Sequence, residues 1–309
     1  MIKYIPTFLV LVGLGLSNCV RDSLEDCPYG KYICLRSAVH KYKVEDVARE
    51  LLLYLYDHRG DLVDTFRFST TYLVANDYTV LVPLQDSGSY SVVALLNPSA
   101  QHYEIAGAEA LTTFRTILKP DRADTIARKP SDLFYAHKGM VYSKPKHFEY
   151  DTIYFYKSTV HFNVYVRLDD YKLPKENALF VAIDGNNGIF DYLNAKSTRR
   201  LYLPYMAPVV SRVIQEEYHY QIETMDFRTT DRLTLLVHET GPYTARADTI
   251  HIVEALKGIT LHNGSHPYDT NEKLAQEDEY DLTVVLDAGF KILELKMNDW
   301  YTIKGGVEL

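Results

Sequence analysis

The run His161-Phe162-Asn163-Val164-Tyr165-Val166-Arg167-Leu168 alternates without a break: Phe162, Val164, Val166 and Leu168 fall on one side, polar or amphipathic residues on the other. Successive side chains of a strand point to opposite faces, so a period of two describes a strand with one buried face. Working outward, the same pattern predicts strands over 51–56, 62–68, 79–82, 90–96, 152–156, 179–183, 218–223, 233–238, 282–286 and 292–297. Turn-forming runs separate them, among them Asp57-His58-Arg59-Gly60, Asp86-Ser87-Gly88, Asp184-Gly185-Asn186-Asn187-Gly188 and Asp287-Ala288-Gly289. Many short strands without regular intervening helices predict an all-β chain of antiparallel sandwiches rather than a parallel α/β sheet. Helix is expected only over 250–257, ended by Gly258, and in a turn at 44–49.

Composition agrees. At 309 residues the chain is long enough for about two domains. With 47% hydrophobic and 24% charged residues it lies in the globular range, and 26 Tyr beside 12 Phe and 1 Trp favour pleated, half-wet surfaces. The net charge is −8 and no Lys/Arg-rich run occurs, so the footprint that neutralises phosphates is missing and nucleic acid is not an expected partner. A polar, proline-containing stretch, SKPKHFEYD over 143–151, separates two strand-rich halves. The expected division is therefore a leader over 1–18, a first sandwich over 19–148 and a second over 149–309.

The leader carries Lys3, an apolar stretch from Phe8 to Leu16 and then small or polar residues, the layout of a secretion signal. Leu16-Ser17-Asn18-Cys19 resembles the bacterial lipobox, in which cleavage before the cysteine leaves a residue whose thiol and amino group carry acyl chains. Asn18 departs from the usual small residue at its position. Acyl chains hold a protein on a bilayer by burying about 0.8 kcal/mol per methylene. Val20 rather than Asp follows Cys19, and the acidic stretch from Asp22 to Asp26 resembles surface-export signals, so the expected address is the outer membrane. Cys27 and Cys34 are then left in a compartment where disulfides persist. Pro28 to Gly30 can supply a turn that lets them pair, whereas a straight strand through Tyr32 to Leu35 would leave two separate thiols.

The sequence offers no catalytic constellation: no G-x-S-x-G, no H-E-x-x-H and no phosphate-cradling glycine loop. No catalytic residue, cofactor or metal is assigned. His262 and His266 lie in HNGSHP, where Gly and Pro prevent a shared helical face. Asp184 to Gly188 clusters oxygen ligands, but Gly185 and Gly188 break a calcium-loop pattern and read as a tight turn. The acidic run 269–281 reads as a solvated loop. Tyr154-Phe155-Tyr156 and Tyr218-His219-Tyr220 are either ordinary strand residues or an aromatic platform for sugars.

A lipobox cysteine, an acidic segment ending at Cys27-Pro28, a strand, and then Leu51-Leu52-Leu53-Tyr54-Leu55-Tyr56-Asp57-His58-Arg59-Gly60 together resemble the FimB-type anchor subunits of type V (fimbrillin) pili. The likeness continues through Asp77 to Pro83, Gly88 to Ala94, Thr159 to Leu168 and Asp299 to Ile303. The resemblance implies two tandem transthyretin-like sandwiches and no catalysis. It also implies an outer-membrane lipid foot at Cys19 and a role at the fibre base, holding the pilus on the cell and limiting its length. Fimbrillin-type pilin subunits are the implied partners, joined by strand addition at an open sheet edge. The segment 292–309, where Leu293, Leu295 and Met297 alternate with Glu294 and Lys296, is either the exchanged strand or a permanent strand of the second sandwich. A surface glycan-binding lipoprotein is the competing reading.

Overall fold

A computed structural model describes residues 29–39, 41–120, 126, 129–144, 147–169, 178–185, 188–196, 205–206, 217–240, 249–261, 263–298, 300–304 and 307–308. The first half contributes β1 (Gly30–Ser37), β2 (Glu50–Tyr56), β3 (Leu62–Ser69), β4 (Thr79–Pro83), β5 (Gly88–Leu96), β6 (Tyr103–Ala106), β7 (Arg115–Leu118), β8 (Phe134–Tyr142) and β9 (Phe148–Lys157). The second contributes β10 (Thr159–Leu168), β11 (Ala178–Asp184), β12 (Ile189–Asp191), β13 (Tyr205–Met206), β14 (Glu217–Met225), β15 (Thr234–Thr240) and β16 (Ile250–His251). It closes with β17 (Glu279–Leu286), β18 (Ile292–Met297), β19 (Trp300–Lys304) and β20 (Val307–Glu308). The chain is all-β, as the alternation predicts.

In the first half the strand order is β3-β2-β5-β8-β9-β1-β4. Because β8 and β9 pair only at Phe134↔Lys157 and Tyr135↔Tyr156, the sheet folds there into two layers. Ile33, Leu35, Val80, Val82, Ile153 and Phe155 of one layer meet Leu51, Leu53, Leu55, Val92, Ala94 and Leu96 of the other in one core. The four-stranded layer is buried on its other face too. Leu52, Tyr54, Tyr56, Val93 and Leu95 pack beneath Tyr103, Phe114 and Leu118, with Tyr54 edge-on to Phe114 at 5.2 Å.

The second half packs the order β14-β10-β17-β18-β19-β20 against β13-β11-β15-β16. Phe162, Val164, Val166, Leu282 and Val284 meet Leu179, Val181, Ile183, Leu235 and Val237, and the helix Ile252–Gly258 adds Ile252, Val253 and Leu256. That helix begins two residues later than expected because Ile250 and His251 pair with Leu235 and Thr234.

Two pairs depart from the antiparallel expectation: β1 runs parallel to β9, and β10 runs parallel to β17. In each half an early strand returns beside one much later in the chain, which the long crossover between parallel partners allows. Sheet membership changes at Ser158, since Phe148–Lys157 belongs with β1 and β8. The halves are also stitched together. β12 pairs with β7, Leu118 N–H donates to Gly188 O at 2.7 Å, and the Tyr135 hydroxyl donates to Tyr192 O. The reading of 269–281 as a plain solvated loop needs correction. Asp278 is ion-paired with Lys157 at 2.8 Å and with Lys41, and Tyr280 is buried in the core. These partners are more than a hundred residues away, so local composition carries no trace of them.

Candidate interaction site

Among the described residues, the outer strands of the sheets are β3, β4 and β6 in the first half, and β14, β20, β13, β16 and β12 in the second. An outer strand keeps one row of backbone groups turned away from its sheet, the feature that strand addition uses. The C-terminal segment is not uniform. Within β18, Leu295 and Met297 are buried in the core and pair opposite Val284 and Leu282, as a permanent strand would. Outside it lie β19, paired to β18, and the two-residue β20.

The first parallel pair has an unusual outer face. At the start of β9 the charged residues Glu149 and Asp151 turn inward, and Phe148 and Tyr150 therefore turn out. Lys31, itself buried, meets Glu149 at 3.1 Å and Asp151 at 3.9 Å, and Lys138 also binds Asp151. Glu149 accepts the Ser143 N–H at 2.8 Å and the Lys144 N–H at 3.2 Å, and these bonds with Lys31 hold its carboxyl below the usual range. Burial pushes the Asp151 carboxyl up, but Lys138, the Thr152 N–H and Lys31 outweigh it and leave the group below normal. Outside, the Tyr32 ring stacks on Tyr150 at 5.1 Å and lies 5.5 Å from Phe148, which is 6.0 Å from Tyr29. Tyr150 is 77% exposed, Tyr154 56%, Tyr156 48% and Phe148 40%. Gly30 permits the close approach here, since a Cβ would stand 2.0 Å from Val82 O.

The equivalent outer face of β10, β14 and β17 is polar. His161 bonds Glu223 at 2.7 Å and Asn163 at 2.8 Å, and Asn163 donates to Asp281 at 2.9 Å and Glu279 at 3.1 Å. Lys129 reaches Glu223 at 2.7 Å. The Glu223 bond raises the His161 pKa; burial pushes Glu223 up, but bonds from His161 and Lys129 bring it below normal. Tyr165 stacks on His219 at 4.5 Å.

Of the residues singled out in the sequence, Cys19 and Cys27 lie outside the described residues. Cys34 lies half-buried on β1 and has no described cysteine beside it. His262 is likewise outside, and among the described residues no three His, Cys, Asp or Glu side chains converge as metal ligands. Asp184 accepts the Gly185 N–H at 2.7 Å; Gly185 takes φ +104° with Arg232 O 1.8 Å from where a Cβ would stand, so a tight turn fits and a side chain does not. Asn186 and Asn187 fall outside the described residues. Tyr220 is buried, whereas Tyr154 borders a shallow groove of about 630 Å³ with Arg36, Lys43, Glu45 and Thr152. Sequence reasoning missed Lys31, Phe148, Glu149 and Tyr150, whose Phe-Glu-Tyr-Asp alternation was its one legible signal. No described helix is long and apolar enough to cross a membrane.

Layered sheets with unpaired outer strands and an open aromatic face offer surfaces for contact by sheet edges. A family model describing fimbrillin-A associated anchor proteins Mfa1 and Mfa2 matches residues 24–304, and the chain belongs to that family. It is a fimbria-associated surface protein. A comparison with curated proteins finds no match. Among solved structures it is similar to the fimbrial anchor protein Mfa2 from Porphyromonas gingivalis, at 18% identity and a TM-score of 0.71 over 90% of this chain and 100% of that one. It is also similar to a candidate polysaccharide-binding protein from Bacteroides thetaiotaomicron, at 16% identity and a TM-score of 0.75 over 88% and 97%.

Proposed function

We propose that this protein is the lipid-anchored base of a fimbrium. In this reading Cys19 carries acyl chains in the outer membrane, and sheet edges join fimbrillin-type subunits by strand addition. The anchored subunit limits fibre length because it ends the series of additions. The observation that carries the reading is the match to fimbrial anchor proteins from residue 24 onward, directly after a lipobox cysteine. Nothing in this role needs catalysis.

The test compares wild-type cells with Cys19→Ala cells, measuring fimbrial subunits on the surface and in the medium. Fibres shed into the medium by the substitution are the expected result. Unchanged retention would overturn the anchor reading. A second reading, binding of surface glycans, is favoured by the groove beside Tyr154, where an exposed ring stands next to Arg36, Lys43 and Glu45. Retardation of the protein in polysaccharide-containing gels, lost with Tyr154→Ala, would support it.

A further inference from the structure

The start of the β1·β9 pair reverses the ordinary logic of a sandwich, with charges inside and aromatic rings outside. Lys31, Glu149, Asp151 and Lys138 form an ion network between the layers. Burying charges stabilises a fold weakly at best, since desolvation offsets most of the attraction. What the arrangement does achieve is orientation: Glu149, tied to Lys31 and to two backbone N–H groups, fixes β9 so that Phe148 and Tyr150 face out. Tyr32 stacks on Tyr150 and lies tilted against Phe148, and Leu81 and Pro83 of β4 stand opposite Tyr32 and Gly30 in the register. Folding leaves this apolar surface open, and a rigid stacked cluster suits a permanent covering.

Its position says what covers it. Tyr29 and Gly30 begin the described chain at this same end, and ten residues separate Tyr29 from Cys19. Fully extended, such a tether spans at most about 35 Å, so acyl chains on Cys19 keep this end within that distance of the bilayer. Tyr rings with an apolar body and a polar tip concentrate at the headgroup level of membranes. Exposed Lys144 lies four residues before Phe148, and its ammonium suits anionic headgroups. We propose that the Tyr29, Tyr32, Phe148 and Tyr150 cluster is a second membrane contact, lying in the lipid interface and fixing how the protein stands on the surface. Acyl chains on Cys19 tether the protein without setting its orientation, and the cluster supplies a contact built from the fold. The choice of a lipid occupant rests on the reading of Cys19 as the acylated foot.

The test has two arms. In the first, the chain without its first 18 residues and with Cys19→Ala, which cannot be acylated, is sedimented with vesicles of phosphatidylethanolamine and phosphatidylglycerol. It is expected to partition onto them, and Phe148→Ser with Tyr150→Ser to weaken partitioning about tenfold while leaving the circular dichroism spectrum unchanged. In the second arm the acylated protein is reconstituted into vesicles containing brominated phosphatidylcholine. A Tyr150→Trp variant is expected to be quenched, and a Val63→Trp variant, on the distant outer strand β3, not. Equal quenching of the two, or vesicle binding indifferent to the serine substitutions, overturns the proposal. So does self-association that the serine substitutions abolish, which would assign the cluster to a second copy. Absence of acyl chains on Cys19, read by mass spectrometry of the cell-derived protein, defeats the anchor reading alone, because the first arm is decided without them.

Discussion

Two parallel strand pairs hold corresponding places in the two halves, β1·β9 in the first and β10·β17 in the second, and they are dressed in opposite ways. The second keeps one apolar face and one polar face: Phe162, Val164 and Leu282 point in, while His161, Asn163 and Asp281 form a hydrogen-bonded ladder on the other side, where Asn163 is itself buried. The first turns Lys31, Glu149 and Asp151 in and puts Tyr32, Phe148 and Tyr150 out. The same backbone geometry therefore serves two surroundings. The second ladder is satisfied by protein partners, and the first keeps an apolar surface for something else to cover.

The largest effect that bears on this contrast comes from the inward face of β10. Phe162, fully buried and stacked on Tyr280 at 5.5 Å and Phe227 at 5.9 Å, is expected to cost about 3–5 kcal/mol when changed to Ala, read from denaturant midpoints. A much smaller loss would mean that the second core is looser than its packing implies. Next in size is Lys31→Met, which leaves Glu149 with only its backbone N–H donors and removes half of the Asp151 pairing. It is expected to lower the midpoint by roughly half as much, and Lys31→Met with Glu149→Leu to recover most of the loss, because a hydrophobic replacement of both partners avoids the stranded charge. Failure of the double replacement to recover would show that the ions do more than orient β9.

The smallest effect depends on pH and belongs to the outer ladder of the second pair. The folded pKa of His161 is raised from 6.5, so its contribution is complete below that value and lost as pH rises through the raised one. The folded pKa of Glu223 is depressed from 4.5, so its contribution is complete above that value and lost as pH falls through the depressed one. Their pairing therefore counts most between 4.5 and 6.5. The deficit of His161→Ala against wild type should be about 1–2 kcal/mol there and shrink as pH rises through the raised pKa of His161, measured by thermal melts across pH. A deficit independent of pH would reduce His161 to a packing residue.

Much of this was legible in the sequence, and what was hidden has identifiable causes. β10 and β17 show their period because one face of each is polar. β2 is recognisable by its Leu and Tyr content, yet Leu51 to Tyr56 are all buried, so nothing in the run reveals that a second layer covers it. Phe134-Tyr135-Ala136 in β8 loses its alternation for the same reason, and β6 and β7, at four residues each, are too short for a period to establish itself. The aromatic cluster was obscured by composition. SKPKHFEYD reads as a polar linker because charge is taken as a sign of exposure, and here the acids are the inward residues. Asp278 escaped because its partners Lys41 and Lys157 lie far away in the chain.

The placement of β1 has a mechanical meaning. It is an interior strand, held along eight residues by β9 on one side and along five by β4 on the other. Under the proposed anchoring through Cys19, a fibre that drags on a cell would pull on the N-terminal side, and tension entering at Gly30 would run along the strand axis. The bonds on both flanks then lie across the pull and share the load in shear, so they have to fail together. Tension applied at the other end of the chain would meet β20, β19 and β18 in turn as antiparallel hairpins. Those open like a zipper, one rung at a time, which makes the N-terminal side the one fit to bear weight.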